Sequence, residues 1–202
     1  AFVDAGIPFY LDERFSIKEQ CFTSYLLGCL DIVQSGFSTD SLLGLVKTGL
    51  LGFSQEEISL LEDYAFVWSL TGRMWCAPFS LHPDGFAEMD DANLEKLRRL
   101  EGLRIRLMTP LLALRAAAEM ASGEGFVRAL FECLHTAGGP GALRDNPLLP
   151  AGSAGRENAG VLYAGVVSIF DQYALVLGKR VYPGARHAEM MRMALQTADL
   201  GQ

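Results

Sequence analysis

Hydrophobic residues recur every three or four positions through most of the chain, which is the spacing of helices that bury one face. The first such stripe consists of Phe22, Tyr25, Leu26, Cys29 and Val33. Gly36 follows it and is expected to end the helix. The other stripes predict helices near residues 40–50, 54–71, 91–114, 126–134, 157–177 and 190–198. The pattern therefore predicts an all-α fold of about seven helices.

Local signals mark some of the helix boundaries. Ser54 and Glu57 have the spacing of a capping box, and Phe53 can pack on Ile58 across the first turn. Pro110 falls inside the long helix near residues 91–114, where it is expected to kink or interrupt the helix.

Three segments depart from helical spacing. Residues 7–11, IPFYL, are short and partly aromatic, which predicts one short N-terminal strand. Residues 74–90 contain scattered prolines and aromatic residues and are expected to form an ordered irregular loop. Residues 138–155 are rich in Gly and Pro and predict a second loop. We expect one helical domain over residues 1–202.

The charge of the chain limits its partners. The net charge is −7, so the whole surface repels nucleic acid unless basic residues cluster locally. This argues against an independent DNA- or RNA-binding protein, but not against a module of a larger assembly. The four cysteines form no CxxC pair, which predicts reduced, structural cysteines and a cytoplasmic location.

The most apolar segment and the start of the chain also indicate the class of protein. Residues 160–178 are strongly apolar, but Asp171 lies near the middle, where a charge in lipid costs roughly 2.5–3.5 kcal/mol. A buried core helix is therefore expected, without membrane association. The chain lacks both an initial methionine and a secretory signal, and we expect it to be a fragment of a longer protein.

Sequence motifs give little support for catalysis. No Gly-rich run ends in Gly-Lys-Ser or Gly-Lys-Thr, and no Gly-x-Ser-x-Gly elbow occurs. The three histidines lie in different predicted elements. We therefore predict that the chain has no catalytic residue, metal ligand or cofactor site of its own.

Two places are candidates for contact with nucleic acid. Residues 96–106 of the long helix are basic, but Glu95 and Glu101 interrupt the run, which favours a solvated helix face. Arg73 and Trp75 lie at a helix-to-loop junction, where such a pair can hold a phosphate and stack on a base. The alternative is that Trp75 packs in the core and Arg73 covers it.

Several segments, in order, resemble the B subunit of the bacterial AddAB (RexAB-type) helicase–nucleases. Residues 6–14 are GIPFYLDER and look like that family's GIPFFLDEKR segment. Residues 47–51 are KTGLL, similar to the family's LLKTGLL stretch. The combination of LEDY at 61–64 and GRMW at 72–75 is also similar, and TPLL at 109–112 falls where the family has a Pro-Leu turn. The likeness covers the first 115 residues.

The resemblance implies a non-catalytic part of a DNA repair and recombination enzyme. It places residues 1–12 as a strand leading in from the second motor domain, and residues 13–202 as the helical insertion of a UvrD-like helicase. The family's ATP, Mg and iron–sulfur cluster would bind outside this segment. The expected partners are the A subunit and, within the complex, DNA. The expected DNA contacts are Lys47, Arg73 and Trp75.

Two other classes remain open at this point. A protein-interaction domain without DNA contact agrees with the net charge of −7. An unrelated helical protein that binds a small apolar ligand between Met- and Phe-rich helices is a further alternative.

Overall fold

The structure is a computed structural model. It describes residues 21–138, 141–142, 145 and 159–197. The N-terminal strand predicted at residues 7–11 and most of the loop predicted at residues 138–155 lie outside the described residues.

Helices dominate the described part of the chain, which confirms the predicted all-α class. The α-helices there are α1 (Cys21–Ser35), α2 (Thr39–Lys47), α3 (Gln55–Val67), α4 (Asp91–Ala118), α5 (Gly123–Thr136), α6 (Ala159–Leu177) and α7 (Gly184–Thr197). A 3-10 helix, Gly72–Cys76, follows α3. Two strands of three residues each, β1 (Met120–Ser122) and β2 (Val181–Pro183), complete the described elements.

The core is organised around α1. This helix packs against α2, α4 and α7, while α4 packs against α5 and α5 against α6. Tyr25, Leu30 and Ile32 of α1 are completely buried. Burial of apolar surface is the main favourable term in folding, so the predicted stripe of α1 supplies much of the stabilisation.

The capping box predicted for α3 is confirmed. The Ser54 hydroxyl accepts a hydrogen bond from the Glu57 N–H at 3.2 Å, and the Glu57 carboxylate accepts one from the Ser54 N–H at 2.8 Å. Phe53 and Ile58, the two residues of the expected apolar staple, are both buried. The start of α3 is therefore fixed by local sequence.

Pro110 was predicted to kink or interrupt the long helix, and the interruption does not occur. Helix α4 runs for 28 residues and includes Pro110. Proline removes one backbone donor, but Leu107 and Leu111 are buried on either side of it. The adjacent Thr109 hydroxyl also donates to the Ile105 carbonyl at 2.8 Å. Tertiary packing therefore outweighs the local helix-breaking tendency.

Helix α6 is the apolar segment that was expected in the core. Val166, Ile169 and Phe170 are buried along one side of it. Asp171 lies on the exposed side, so its charge stays in water. Among the described helices, none combines the length and apolar character that a membrane crossing requires.

The two short strands form an antiparallel ribbon that the sequence did not predict. Ala121 lies opposite Tyr182 in the register. Strand β1 joins α4 to α5, and β2 joins α6 to α7. Each strand has only three residues, which is too short for alternation of apolar and polar positions to be recognised.

A glycine follows each strand at the start of the next helix. A Cβ atom at Gly123 would lie 2.5 Å from the Cβ of Leu177. A Cβ atom at Gly184 would lie 2.6 Å from the carbonyl oxygen of Ala118. Both distances are shorter than atoms tolerate, so these close approaches of backbone require glycine.

A buried histidine connects the ribbon to α6 and α7. The His187 Nε2–H donates to the Ala121 carbonyl at 2.8 Å, so Nδ1 accepts from the Tyr173 hydroxyl, also at 2.8 Å. The imidazole ring stacks on Phe126 with 4.7 Å between centroids. Because both ring nitrogens are satisfied, His187 is a structural residue.

We predict that His187→Ala lowers the free energy of unfolding by about 2–4 kcal/mol. The substitution leaves a cavity and removes the imidazole, which is one partner of the buried Tyr173 hydroxyl and the side-chain donor to the Ala121 carbonyl. Urea unfolding followed by circular dichroism measures the change. The control is His135→Ala, at an exposed position of α5, which should change stability by less than about 0.5 kcal/mol. Equal effects at the two positions would contradict the structural role of His187.

Candidate functional site

Trp75, one of the three predicted DNA contacts, lies in the core. Its side chain is 0% exposed. The indole Nε1–H donates to the Thr39 hydroxyl at 2.9 Å, and the Thr39 hydroxyl donates in turn to the Leu70 carbonyl. The Phe79 ring lies edge-on to the indole, with 5.6 Å between centroids. No face of the Trp75 ring is open to a base, which favours the packing alternative.

Arg73 lies on the outer side of the same 3-10 helix. Successive residues of such a helix are about 120° apart, so Arg73 and Trp75 point in different directions. Arg73 is exposed, and it has no ion-pair partner among the described residues. The structure therefore separates the arginine from the aromatic ring with which the sequence predicted a joint contact.

Lys47, the third predicted contact, ends α2 and is exposed on the surface. Its ammonium group forms an ion pair with Glu62 of α3. The position also suits a cation at a helix C-terminus, where the helix dipole is negative. Lys47 thus has two local structural roles, and a phosphate would compete with a carboxylate for it.

A nearly buried ion pair organises the neighbourhood of Trp75. Arg104 of α4 donates from Nε and Nη2 to the two carboxylate oxygens of Glu101, at 2.7 and 2.6 Å. Its Nη1 donates to the Trp75 carbonyl at 3.1 Å. Glu101 also accepts the Phe79 N–H at 2.8 Å. One ion pair on α4 therefore holds both ends of residues 75–79.

The electrostatics of this pair follow from its hydrogen bonds. The Arg104 guanidinium lowers the pKa of the Glu101 carboxyl below its ordinary value of 4.5, and the Phe79 N–H lowers it further, although partial burial raises it. The same bonds raise the pKa of Arg104. In the sequence, Glu101 looks only like an interruption of a basic run. The signal that could have revealed the pair is the spacing of three between Glu101 and Arg104 on a helix.

Four further basic residues of α4 are also paired with carboxylates. The pairs are Lys96 with Asp84, Arg98 with Glu95 at 3.0 Å, Arg99 with Glu56 at 2.7 Å, and Arg106 with Glu57 at 3.2 Å. The Arg106 guanidinium also lies over the Phe53 ring, 3.7 Å from its centroid. Glu56 and Glu57 belong to α3, so Arg99 and Arg106 attach α4 to α3. The arrangement favours the structural interpretation of the basic run over a DNA-binding stripe.

The cysteines and a groove beside α1, α4 and α7 offer no catalytic arrangement in the described part of the chain. The buried Cys29 and Cys133 are free thiols with 3.9 Å between their sulfur atoms. A groove of about 510 Å³ lies where α1 and α4 end and α7 begins. Arg115 in this groove donates to the Ile32 carbonyl at 2.8 Å, so it caps the end of α1. Within the described residues, no three His, Cys, Asp or Glu side chains are grouped as metal ligands would be.

Comparison with known proteins identifies the relatives of the chain. It is 26% identical over 137 residues to a Clostridium botulinum protein named as the B subunit of an ATP-dependent helicase/deoxyribonuclease, a match that covers 66% of the chain. Proteins of the same name from Acetivibrio thermocellus and Heliobacterium modesticaldum are 22% and 25% identical and match 99% and 98% of the chain. The chain is a relative of this B subunit. The resemblance predicted from the sequence is thereby confirmed.

The extent of the match matters for what can be transferred from these relatives. The matched region is 12% of the Clostridium botulinum protein and 18% of the Acetivibrio thermocellus one. The chain therefore spans less than a fifth of the length of these relatives. No family model matches the chain.

We predict that Trp75→Ala lowers the free energy of unfolding by about 3–5 kcal/mol, because it empties a fully buried site. Arg73→Ala, two residues away, should change it by less than about 0.5 kcal/mol, because that side chain is exposed. Denaturant unfolding of the two variants side by side measures both values. A destabilisation by Arg73→Ala as large as that by Trp75→Ala would contradict the separation of the two side chains.

A second prediction concerns Glu101 and pH. The folded state lowers the pKa of this carboxyl, so its contribution to stability is complete above the ordinary value of 4.5 and is lost as pH falls through the lower pKa of the folded state. Glu101→Gln leaves Arg104 uncompensated and should cost about 3 kcal/mol at pH 7. The difference from the unsubstituted protein should shrink as pH falls from 5 to 3, as urea unfolding across that range would show.

The matched control for this experiment is Glu132→Gln. Glu132 is exposed on α5 and has no ion pair within the described residues. Its substitution should change stability by less than about 0.5 kcal/mol at each pH. If the Glu101→Gln difference were the same at pH 3 and pH 7, the pair with Arg104 would not be its cause.

Proposed function

We propose that this chain is a non-catalytic helical module of an AddB-type protein, and that it acts as a scaffold through protein contacts. The parent protein would be part of an ATP-dependent helicase and deoxyribonuclease that repairs and recombines DNA in the cytoplasm. In it, the module braces neighbouring domains and the A subunit beside the DNA channel. The names of the relatives support the parent activity.

The observation that carries the scaffold proposal is the engagement of the positive charges. Lys47 and five basic residues of α4 form ion pairs with carboxylates of this chain. A DNA-binding surface needs cations that are available to replace the counterions of phosphate. Here three of these cations, Lys47, Arg99 and Arg106, already link α2 and α4 to α3. The net charge of −7 acts in the same direction.

The place of the module within the parent is part of the proposal. We assign residues 13–202 to a helical insertion of a UvrD-like helicase region, with residues 1–12 as the strand that enters it from the second motor domain. The order of helices in the described residues supports an insertion that folds around its own core. ATP, Mg and the iron–sulfur cluster would be bound by other parts of the parent.

The test uses the full-length parent protein in complex with the A subunit and the double variant Lys47→Ala/Arg73→Ala. We predict that the affinity for single-stranded and forked DNA stays within about twofold, because a scaffold makes no phosphate contacts. Fluorescence anisotropy over a salt series measures affinity and its salt dependence. If both cations contacted phosphates, the slope against salt would decrease by about 1.4, at about 0.7 for each contact with a single strand.

The matched control is Lys96→Ala/Arg98→Ala, which removes the same positive charge from α4. A general loss of charge would weaken binding equally in both double variants. If only Lys47→Ala/Arg73→Ala weakened DNA binding and lowered the salt slope, the scaffold proposal would be wrong. The surface that carries Lys47 and Arg73 would then line the DNA path.

A further inference from the structure

Two thiols and a phenol meet inside the core, between α1 and α5. Cys29 of α1 and Cys133 of α5 have 3.9 Å between their sulfur atoms. The Tyr25 hydroxyl, one helical turn before Cys29, lies 3.4 Å from the Cys133 carbonyl oxygen and 3.5 Å from the Cys133 sulfur. All three side chains are buried. We call Tyr25, Cys29 and Cys133 the thiol cluster.

The two sulfur atoms are close enough for a bond to form after small movements. A disulfide bond measures about 2.05 Å, so the sulfurs must approach each other by about 1.9 Å. Each sulfur is already the other's hydrogen-bond partner, so the two side chains point towards one another, as a disulfide requires. The cysteines are 104 positions apart in the chain, so the bond would close a long loop.

The hydrogen bonds of the thiol cluster give the two cysteines different chemistry. The hydrogen bond from the Cys29 thiol lowers the pKa of Cys133, burial raises it, and the Tyr25 hydroxyl lowers it further. The pKa of Cys29 is raised, because its proton is held by the Cys133 sulfur and because the side chain is buried. The thiolate is the nucleophilic form of a cysteine. Cys133 is therefore the better nucleophile, and Cys29 is placed to react with it afterwards.

A small pocket leads from the surface to Cys133. It lies between α4 and α5, has a volume of about 120 Å³, and has Cys133 among its lining residues. Ala113, Ala117, Glu132 and Thr136, which also line it, are exposed to solvent. A water molecule occupies about 30 Å³ in the liquid, so a solute with two oxygen atoms fits in this pocket. Cys29 is not among the lining residues, which agrees with the order of reaction given above.

We propose that Cys29 and Cys133 are a redox-active pair, which hydrogen peroxide oxidises to a disulfide that joins α1 to α5. The Cys133 thiolate attacks one peroxide oxygen and the O–O bond breaks, which leaves a sulfenic acid on Cys133 and a hydroxide that takes up the Cys133 proton. The Cys29 sulfur then attacks the Cys133 sulfur. The S–S bond forms as the S–O bond breaks, and the oxygen leaves as water with the Cys29 proton. Two thiols and one peroxide thus give one disulfide and two waters.

The disulfide would change how α5 is held. In the reduced protein α5 packs mainly on α4 and α6, and the bond would attach it directly to α1. A cross-link between distant positions of a chain restricts its opened states. In a reducing compartment disulfides are typically transient and redox-sensing, so the bond would be reversible. The pair concerns the internal packing of the module and does not depend on the scaffold function.

The test maps disulfides in the full-length parent protein by tandem mass spectrometry. The reduced protein is treated with increasing hydrogen peroxide, and the remaining thiols are alkylated in denaturant before digestion. We expect Cys29 and Cys133 to be lost together as free thiols, to appear as linked peptides, and to be recovered with dithiothreitol. Cys76, which is exposed, is the internal reference. The proposal is overturned if Cys29 and Cys133 stay free at a peroxide concentration that oxidises Cys76 completely.

Single substitutions test the roles of the two thiols. In Cys29→Ala the reaction should stop at the sulfenic acid, so dimedone should label Cys133. In Cys133→Ala, Cys29 should stay reduced. Cys76→Ala is the matched control and should form the Cys29–Cys133 bond as the unsubstituted protein does. Dimedone labelling of Cys29 in Cys133→Ala, without labelling of Cys133 in Cys29→Ala, would overturn the assigned order.

Hydrogen–deuterium exchange distinguishes a bond within the native fold from one formed after unfolding. Oxidation should slow amide exchange in α1 and α5 several-fold, because the cross-link restricts their opening. The same treatment of Cys29→Ala should leave exchange in these helices unchanged. Faster exchange after oxidation of the unsubstituted protein would show that the bond disrupts the fold, and would overturn the proposal.

Discussion

The pair of Arg104 and Glu101 is the interaction on which the surroundings of the 3-10 helix depend. A nearly buried guanidinium is tolerated only when its charge is matched and its donors are used. Here it bonds to both carboxylate oxygens and to the Trp75 carbonyl, and the carboxylate receives the Phe79 N–H. The path of residues 75–79 is fixed as a result. Because this path buries Trp75, no face of the indole ring is open to a base.

Ion pairs also connect the exposed surfaces of α3 and α4. Arginines that look like a nucleic-acid stripe in the sequence attach one helix to the next instead. Individually, exposed ion pairs contribute little to stability, roughly 0–1 kcal/mol. Their effect on function is larger, since each carboxylate cancels the field that would attract phosphate.

Much of the fold was predictable because it follows from local pattern. The apolar stripes located the helices, and Ser54 with Glu57 located the start of α3. The continuation through Pro110 was not predictable, because it depends on distant packing partners. For the same reason, the sequence could not predict which side of the 3-10 helix carries Trp75. Phe86 lies in a segment without periodicity, so its exposure and its contact with Trp68 appear only in three dimensions.

The ribbon of β1 and β2 has a consequence for how the module tolerates change during evolution. It brings together the end of α4 and the start of α7, so residues 123–180, which include α5 and α6, form a closed segment whose ends are fixed close to each other. Entropy changes slowly with the length of a closed loop. Homologues can therefore lengthen or shorten the connection between α5 and α6 while α1, α4 and α7 keep their arrangement. Length variation is expected to concentrate there, and Gly123 and Gly184 are expected to remain glycine.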